Sequence, residues 1–305
     1  MEASKNSIFN MSPGYRMALF LGATGISMIL GALISFSLVA AYMHVPFNQL
    51  QSIILEPANS KIAQFANALA SIIAFGLPSI AVAVFTKGSV YNNLGFLIKP
   101  KNEQIILVGL LAIAGLFLSG ALGDLTDKIP VTVGIKAWAD GLEAQYKQAL
   151  MAMTQMKSIV DLLYAIIAVA LVPAVVEELF FRASLQKILM DWSGKPYLAI
   201  VVTAILFSAF HFSYFGFLSR MSLGIMLGCI YYFSKSIWLP MLMHFINNAI
   251  GITALYIVRE DPKKVETVLE GNLTYYWIFV AIIVVYFLLK QLKNNTQNAG
   301  LEKSI

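Results

Sequence analysis

The chain has 305 residues, 59% of them hydrophobic and 12% charged, with a mean hydropathy of +0.75 and a net charge of +5. A soluble domain is about half apolar and about a quarter charged, so this composition excludes an ordinary water-soluble enzyme and points to a polytopic membrane protein. No basic cluster supports a nucleic-acid partner, and the lone cysteine, Cys229, can form neither an internal disulfide nor a thiolate metal site.

A spanning helix needs ~20 mostly apolar residues. Eight segments come near that length, at about 17–43, 64–86, 104–123, 159–180, 197–213, 219–234, 236–258 and 274–292. The expected fold is therefore all-α, a single integral membrane domain over residues 1–305 with about eight transmembrane helices. The first apolar stretch follows Lys5 and Arg16 and is longer than the ~7–15-residue core of a signal peptide, so it is read as a retained span. The fifth and sixth segments are short and meet at FSYFGFLS.

The longest connection, 124–157, carries Trp138, Leu142, Tyr146, Leu150 and Met153 at helical spacing, with Lys136, Glu143 and Lys147 among them. That pattern suits an amphipathic helix at the membrane interface, and it also suits a helix filling space between two spans. The polar end, about 294–305, is expected to be disordered. Lys5, Arg16, Lys87, Lys99, Lys101, Lys187, Lys195, Lys235, Lys290 and Lys293 sort to one side of the bilayer. By the positive-inside rule this favours a multi-pass protein of the cell membrane with both termini in the cytoplasm.

Three polar sites interrupt the apolar segments, and an ionisable group at that depth is a functional candidate by default. The first is EELFFR. On a helix Glu178 and Arg182 stand at i,i+4 and neutralise each other, while Glu177 points about 100° away and is left without the arginine. Pro173, four residues upstream of Glu177, removes an amide donor and disturbs the helix there. The second site is FSAFH, with His211 one turn after Phe207. In the third, HFINN, His244 and Asn248 share a face at i,i+4 and Asn247 lies beside them at i+3. The remaining histidine, His44, falls at a span end beside Pro46 and reads as interfacial. Taken singly, such residues serve as interhelical glue. Together they comprise a base, two acid–base or donor groups and an amide, the inventory of a hydrolase.

EELFFR, FSAFH and HFINN match E-E-x-x-x-R, F-x-x-x-H and H-x-x-x-N, in that order and on successive apolar segments. Over residues 160–255 the chain resembles the CAAX-processing and bacteriocin-processing (CPBP or Abi) family of intramembrane proteases, and NNLGFLIKP at 92–100 is loosely similar to a further family stretch. The resemblance implies an endopeptidase that cleaves a peptide bond near the membrane. It implies Glu177 as general base with His211 helping to activate water, His244 and Asn248 as oxyanion donors, and Glu178 and Arg182 as residues that hold the helix and tune the site. The chemistry of these groups agrees: a carboxylate in a low-dielectric cavity is a stronger base, and an imidazole and an amide suit a developing oxyanion.

Members of the family are often labelled metalloproteases, and Glu177, His211 and His244 are the zinc ligands this chain would offer. No H-E-x-x-H is present and asparagine is a poor zinc ligand, so a cofactor-free, glutamate-dependent mechanism is favoured. The expected partners are a membrane peptide or protein substrate and the lipid bilayer. CAAX processing, bacteriocin maturation and self-immunity all fit the resemblance. An ion-coupled secondary transporter and a non-catalytic scaffold are the readings from other classes; the inverted repeats that would mark a transporter are not visible. Span counting places Glu177 toward the cytoplasmic half of its helix, with a cavity open on that side, and leaves His211 toward the far side.

Overall fold

In hydrocarbon a backbone N–H or C=O has no water to bond, so each apolar run satisfies its hydrogen bonds internally as a helix. The computed structural model describes residues 11–270 and 273–301, and the regular elements among them are all helical. In chain order the main ones are α1 (Pro13–Met43), α2 (Pro57–Phe85), α3 (Asn102–Asp127), α4 (Val133–Met153) and α5 (Ile159–Ser193). They continue with α6 (Pro196–Ala209), α7 (Phe217–Ser234), α8 (Trp238–Val258), α9 (Pro262–Glu270) and α10 (Ile278–Leu301). Among the described residues, seven helices are long and apolar enough to cross a membrane: α1, α2, α3, α5, α7, α8 and the stretch Tyr275–Thr296 that is mostly α10. The protein is an all-α, polytopic integral membrane bundle.

The fifth expected span, 197–213, is corrected by the structure. It is the 14-residue α6, about 21 Å long at the helical rise and too short for a ~30 Å hydrocarbon core. Residues 210–213 fall in the turn that follows it, and α5 does not stop near 180 but runs 35 residues to Ser193. Polar Arg182, Ser184 and Gln186 continue the helix because they are buried inside the bundle rather than left in lipid. A second difference concerns the end of the chain. α10 extends through residues 294–301, part of the stretch expected to be disordered, while 302–305, like Lys5, lie outside the described residues.

Tertiary contacts sort the helix ends into two groups. Arg16 pairs with Asp191 at 2.9 Å, Lys187 Nζ donates to the Asn93 carbonyl, and Ser236 Oγ donates to the Ile98 carbonyl. Gln104 Nε2 donates to Thr296 Oγ1 at the same end. This end gathers the stretches that carry Arg16 and the sorted lysines that fall among the described residues. At the opposite end Lys61 pairs with Asp161 at 2.6 Å, and Gln64 donates to the Met153 carbonyl. Glu177 lies near the middle of α5 rather than in one half of it.

Two of the spans contain π-helical stretches, Ile72–Gly76 in α2, and Ile166–Leu171 and Leu179–Gln186 in α5. Pro78 and Pro173 each follow one closely. A proline cannot donate to the carbonyl four residues back, and a widened turn re-satisfies the groups it frees. The break expected at Pro173 is thus taken up as a π turn. Such turns recur at functional sites, and the third starts directly after Glu178.

Two apolar clusters frame the centre. Val108, Leu111, Leu227, Ile230, Leu239 and Met243 join α3, α7 and α8, while Phe20, Phe180, Phe181 and Phe207 join α1, α5 and α6. α6 and α7 pack closely because α7 presents Gly224 to Ala204 and Gly228 to Ile200; a Cβ at either glycine would come within 3 Å of α6. The outer faces of the spans keep side chains such as Leu21, Ile29 and Ile106 more than half exposed, as lipid-facing surfaces do.

Candidate active site

Glu178 and Arg182 form the pair that their spacing predicts. Arg182 Nε donates to Glu178 Oε2 at 2.9 Å, and neither side chain has measurable exposure. A buried carboxylate without such a partner would be strongly unfavourable. The guanidinium also lies 5.1 Å from the centre of the Phe207 ring, a cation–π distance. Its two terminal nitrogens have no hydrogen-bond partner among the described residues.

The second oxygen of Glu178 reaches another helix. Glu178 Oε1 is 3.0 Å from Nδ1 of His244, which extends from the first turns of α8 into the bundle. On the other side of the same imidazole, Nε2 stands 3.9 Å from Glu177 Oε2. His244 therefore lies between two adjacent carboxylates. Glu177 is the more open of the two, 13% exposed against none for Glu178, and its Oε2 has no hydrogen-bond partner among the described residues. The asymmetry read from the helical angle between the glutamates is present, with one addition: both address a single histidine.

His211 lies in the turn after α6. Its Nδ1 is 2.8 Å from the Phe207 carbonyl. A carbonyl only accepts, so this contact assigns the proton to Nδ1 and leaves Nε2 of the neutral ring with a lone pair. The Phe207 ring stands 4.9 Å from the His211 ring and 5.7 Å from the His244 ring, which puts one aromatic side chain against both imidazoles. The shortness of α6 is what brings His211 to this depth: the helix returns only part-way across the bundle from its start at Pro196. The far-side position expected for His211 followed from counting a full span.

The structure thus joins Glu177, Glu178, Arg182 and His244 by direct approach and sets His211 against them across Phe207. Among the described residues no hydrogen bond or ion pair joins His211 to Glu177. Asn248 is half-buried and its side chain makes no hydrogen bond there, whereas Asn247 is buried with Oδ1 unpartnered. The Glu178–His244 bond was beyond the reach of sequence reasoning. It links positions 66 residues apart, and local spacing carries no signal of it.

Two cavities lie elsewhere. One of about 10 Å³ is lined by Arg16, Ser184 and Lys187 at the basic end, and one of about 270 Å³ by Met156, Lys157 and Arg259 at the other. Neither is lined by Glu177, His211 or His244, so the opening expected on the basic side is not among them. Nδ1 of His244 is engaged by Glu178 and Nδ1 of His211 by the Phe207 carbonyl, which leaves Nε2 of each ring as the free nitrogen; no three His, Cys, Asp or Glu side chains converge as a ligand group among the described residues. His44 takes no part; it caps α1 in a left-handed conformation.

Comparison with known proteins agrees with the motif reading. Residues 159–250 match the family model described as type II CAAX prenyl endopeptidase Rce1-like. The matched segment runs from the start of α5 to within α8 and contains all three polar sites. At family level the match supports a CAAX-type intramembrane peptidase. Neither the comparison with curated proteins nor that with solved structures returned a match.

Proposed function

We propose that this protein is a glutamate-dependent intramembrane endopeptidase that hydrolyses a peptide bond of a membrane-associated peptide or protein. The observation that carries the reading is His244 held between Glu177 and Glu178, with Glu178 itself neutralised by Arg182. In this reading Glu177 takes a proton from water, assisted by the Nε2 lone pair of His211, and the water oxygen attacks the scissile carbonyl carbon. The new C–O bond places negative charge on the carbonyl oxygen, which Asn248 and His244 stabilise by donation. The C–N bond then breaks as the leaving nitrogen takes the proton held by Glu177. Glu178 accepts from Nδ1–H of His244, so an oxyanion donor at Nε2 requires the imidazolium form. Both carboxylates face that imidazolium before water is deprotonated, and once Glu177 holds the proton Glu178 and the oxyanion remain as its counter-charges.

In the same reading the basic end of the bundle faces the cytoplasm of the cell membrane, with both termini on that side. CAAX-type substrates and bacteriocin-type precursors both satisfy the requirement for a peptide held at the membrane. Quantitative proteomics of membrane fractions from cells carrying the wild-type protein or Glu177→Gln tests the function and finds substrates together. New peptide termini that depend on Glu177 are the expected result. Indistinguishable peptide profiles, together with ion flux in proteoliposomes, would transfer the site to a transporter.

A further inference from the structure

Of the site residues, His211 alone is not carried by a long span, and its placement depends on the turn 210–216. The turn is tight: the amide of His211 donates to the Ser208 carbonyl and that of Phe212 to Ala209. Phe212 then takes φ +49°, a left-handed conformation that a bulky residue keeps only when its surroundings impose it. Its own side chain is 70% exposed and does not impose it.

The amphipathic α4 holds the turn from outside. Ser213 Oγ donates to Glu143 Oε2 at 2.8 Å and accepts the amide of Gly216 at 3.2 Å, so one hydroxyl ties the turn both to itself and to α4. Arg220 stacks on the Tyr146 ring at 4.5 Å, and Trp138 meets Tyr214 edge-on at 6.2 Å. The guanidinium of Arg220 is folded back against Gly216 so closely that a Cβ at 216 would overlap it. The contacts of Glu143, Tyr146 and Trp138 run from α4 to the segment 213–220, immediately after His211.

We propose that Glu143 is a positioning residue for the hydrolytic site, fixing the turn that aims Nε2 of His211 by accepting the Ser213 hydrogen bond. The proposal rests on the role given to His211 above. It makes α4 a part of the active site rather than a spacer between spans. A misplacement of about 1 Å in a catalytic group can lower turnover about 100-fold, and Glu143 controls the turn without touching the substrate.

The test pairs kinetics with a direct view of the ring. Glu143→Ala and Ser213→Ala should each lower kcat about 10- to 100-fold at unchanged KM. Ser213→Ala also gives up the Gly216 contact, so the double variant should be no worse than Ser213→Ala alone, in which the bond to Glu143 is already lost. Glu143→Gln keeps a carbonyl acceptor and should restore most of the turnover. With only three histidines in the chain, ¹⁵N-histidine labelling resolves the ring of His211, assigned by loss of its signal in His211→Gln. Glu143→Ala should shift or broaden that signal and leave His244 unmoved. An unmoved His211 signal overturns the proposal, as does a loss in Glu143→Gln equal to that in Glu143→Ala. A moved His211 signal with unchanged turnover instead contradicts the catalytic role of His211, leaving Glu143 as the residue that sets the turn.

Discussion

His244 and His211 are the same side chain in two kinds of setting. His244 is held between long spans, with Glu178 on one nitrogen, Glu177 near the other and Arg182 closing the charge balance. His211 is held by a turn, against a neutral carbonyl, and the turn in turn leans on an amphipathic helix. The first setting is built from buried charges, so disturbing it should disturb the fold. The second is built from hydrogen bonds at the margin of the bundle, so disturbing it should leave the fold and change the chemistry. The difference separates stability from function in one site.

The largest expected effect lies on the His244 side. Glu178→Ala leaves Arg182 buried and unpaired, and breaking a buried pair one-sidedly costs about 3–5 kcal/mol. Thermal unfolding of the purified protein should show a large loss, and Glu178→Ala/Arg182→Ala should recover part of it. Turnover should not recover with it, because His244 still lacks the acceptor for Nδ1. A double variant as unstable as the single would remove the pairing argument; recovery of activity with stability would remove Glu178 from the orientation of His244.

Next in size are the oxyanion donors. His244→Ala and Asn248→Ala should each reduce kcat by about 100- to 1000-fold with less change in KM, since such donors act chiefly in the transition state. Asn247→Ala should be milder on turnover, although the structure buries Asn247 with an unpartnered Oδ1 and leaves Asn248 half-buried. A larger kinetic loss for Asn247→Ala would move the donor role to that residue.

A qualitative test separates the two ends of the bundle. Single cysteines at Lys195 and Lys264 in a Cys229→Ser background can be probed with a membrane-impermeant thiol reagent on intact cells. Labelling at 264 with protection at 195 is expected, and the reverse pattern would invert the topology.

Much of this architecture was legible in the sequence. Apolar run length located the full-length spans, because hydrocarbon forces each run to close its own hydrogen bonds. The i,i+4 spacing predicted the Glu178–Arg182 pair, since a helix fixes that contact locally. The extent of α5 and the shortness of α6 were not legible. Hydropathy treats Arg182 and Gln186 as the end of a span, whereas the bundle buries both and carries the helix on to Ser193. The depth of His211 followed that error. The Glu178–His244 bond and the α4 clamp on Ser213 depend on packing between segments far apart in the chain, which no local pattern encodes.

The central claim is that the carboxylate left open beside His244 performs hydrolysis. Glu177→Gln is nearly isosteric and cannot take up a proton, and among the described residues its lost charge has no salt-bridge partner closer than the 3.9 Å approach of His244. The direct measurement is turnover of a peptide substrate by purified Glu177→Gln protein whose thermal unfolding matches the wild type. The account predicts a folded protein with no detectable cleavage. Near-wild-type turnover from that folded protein would contradict it.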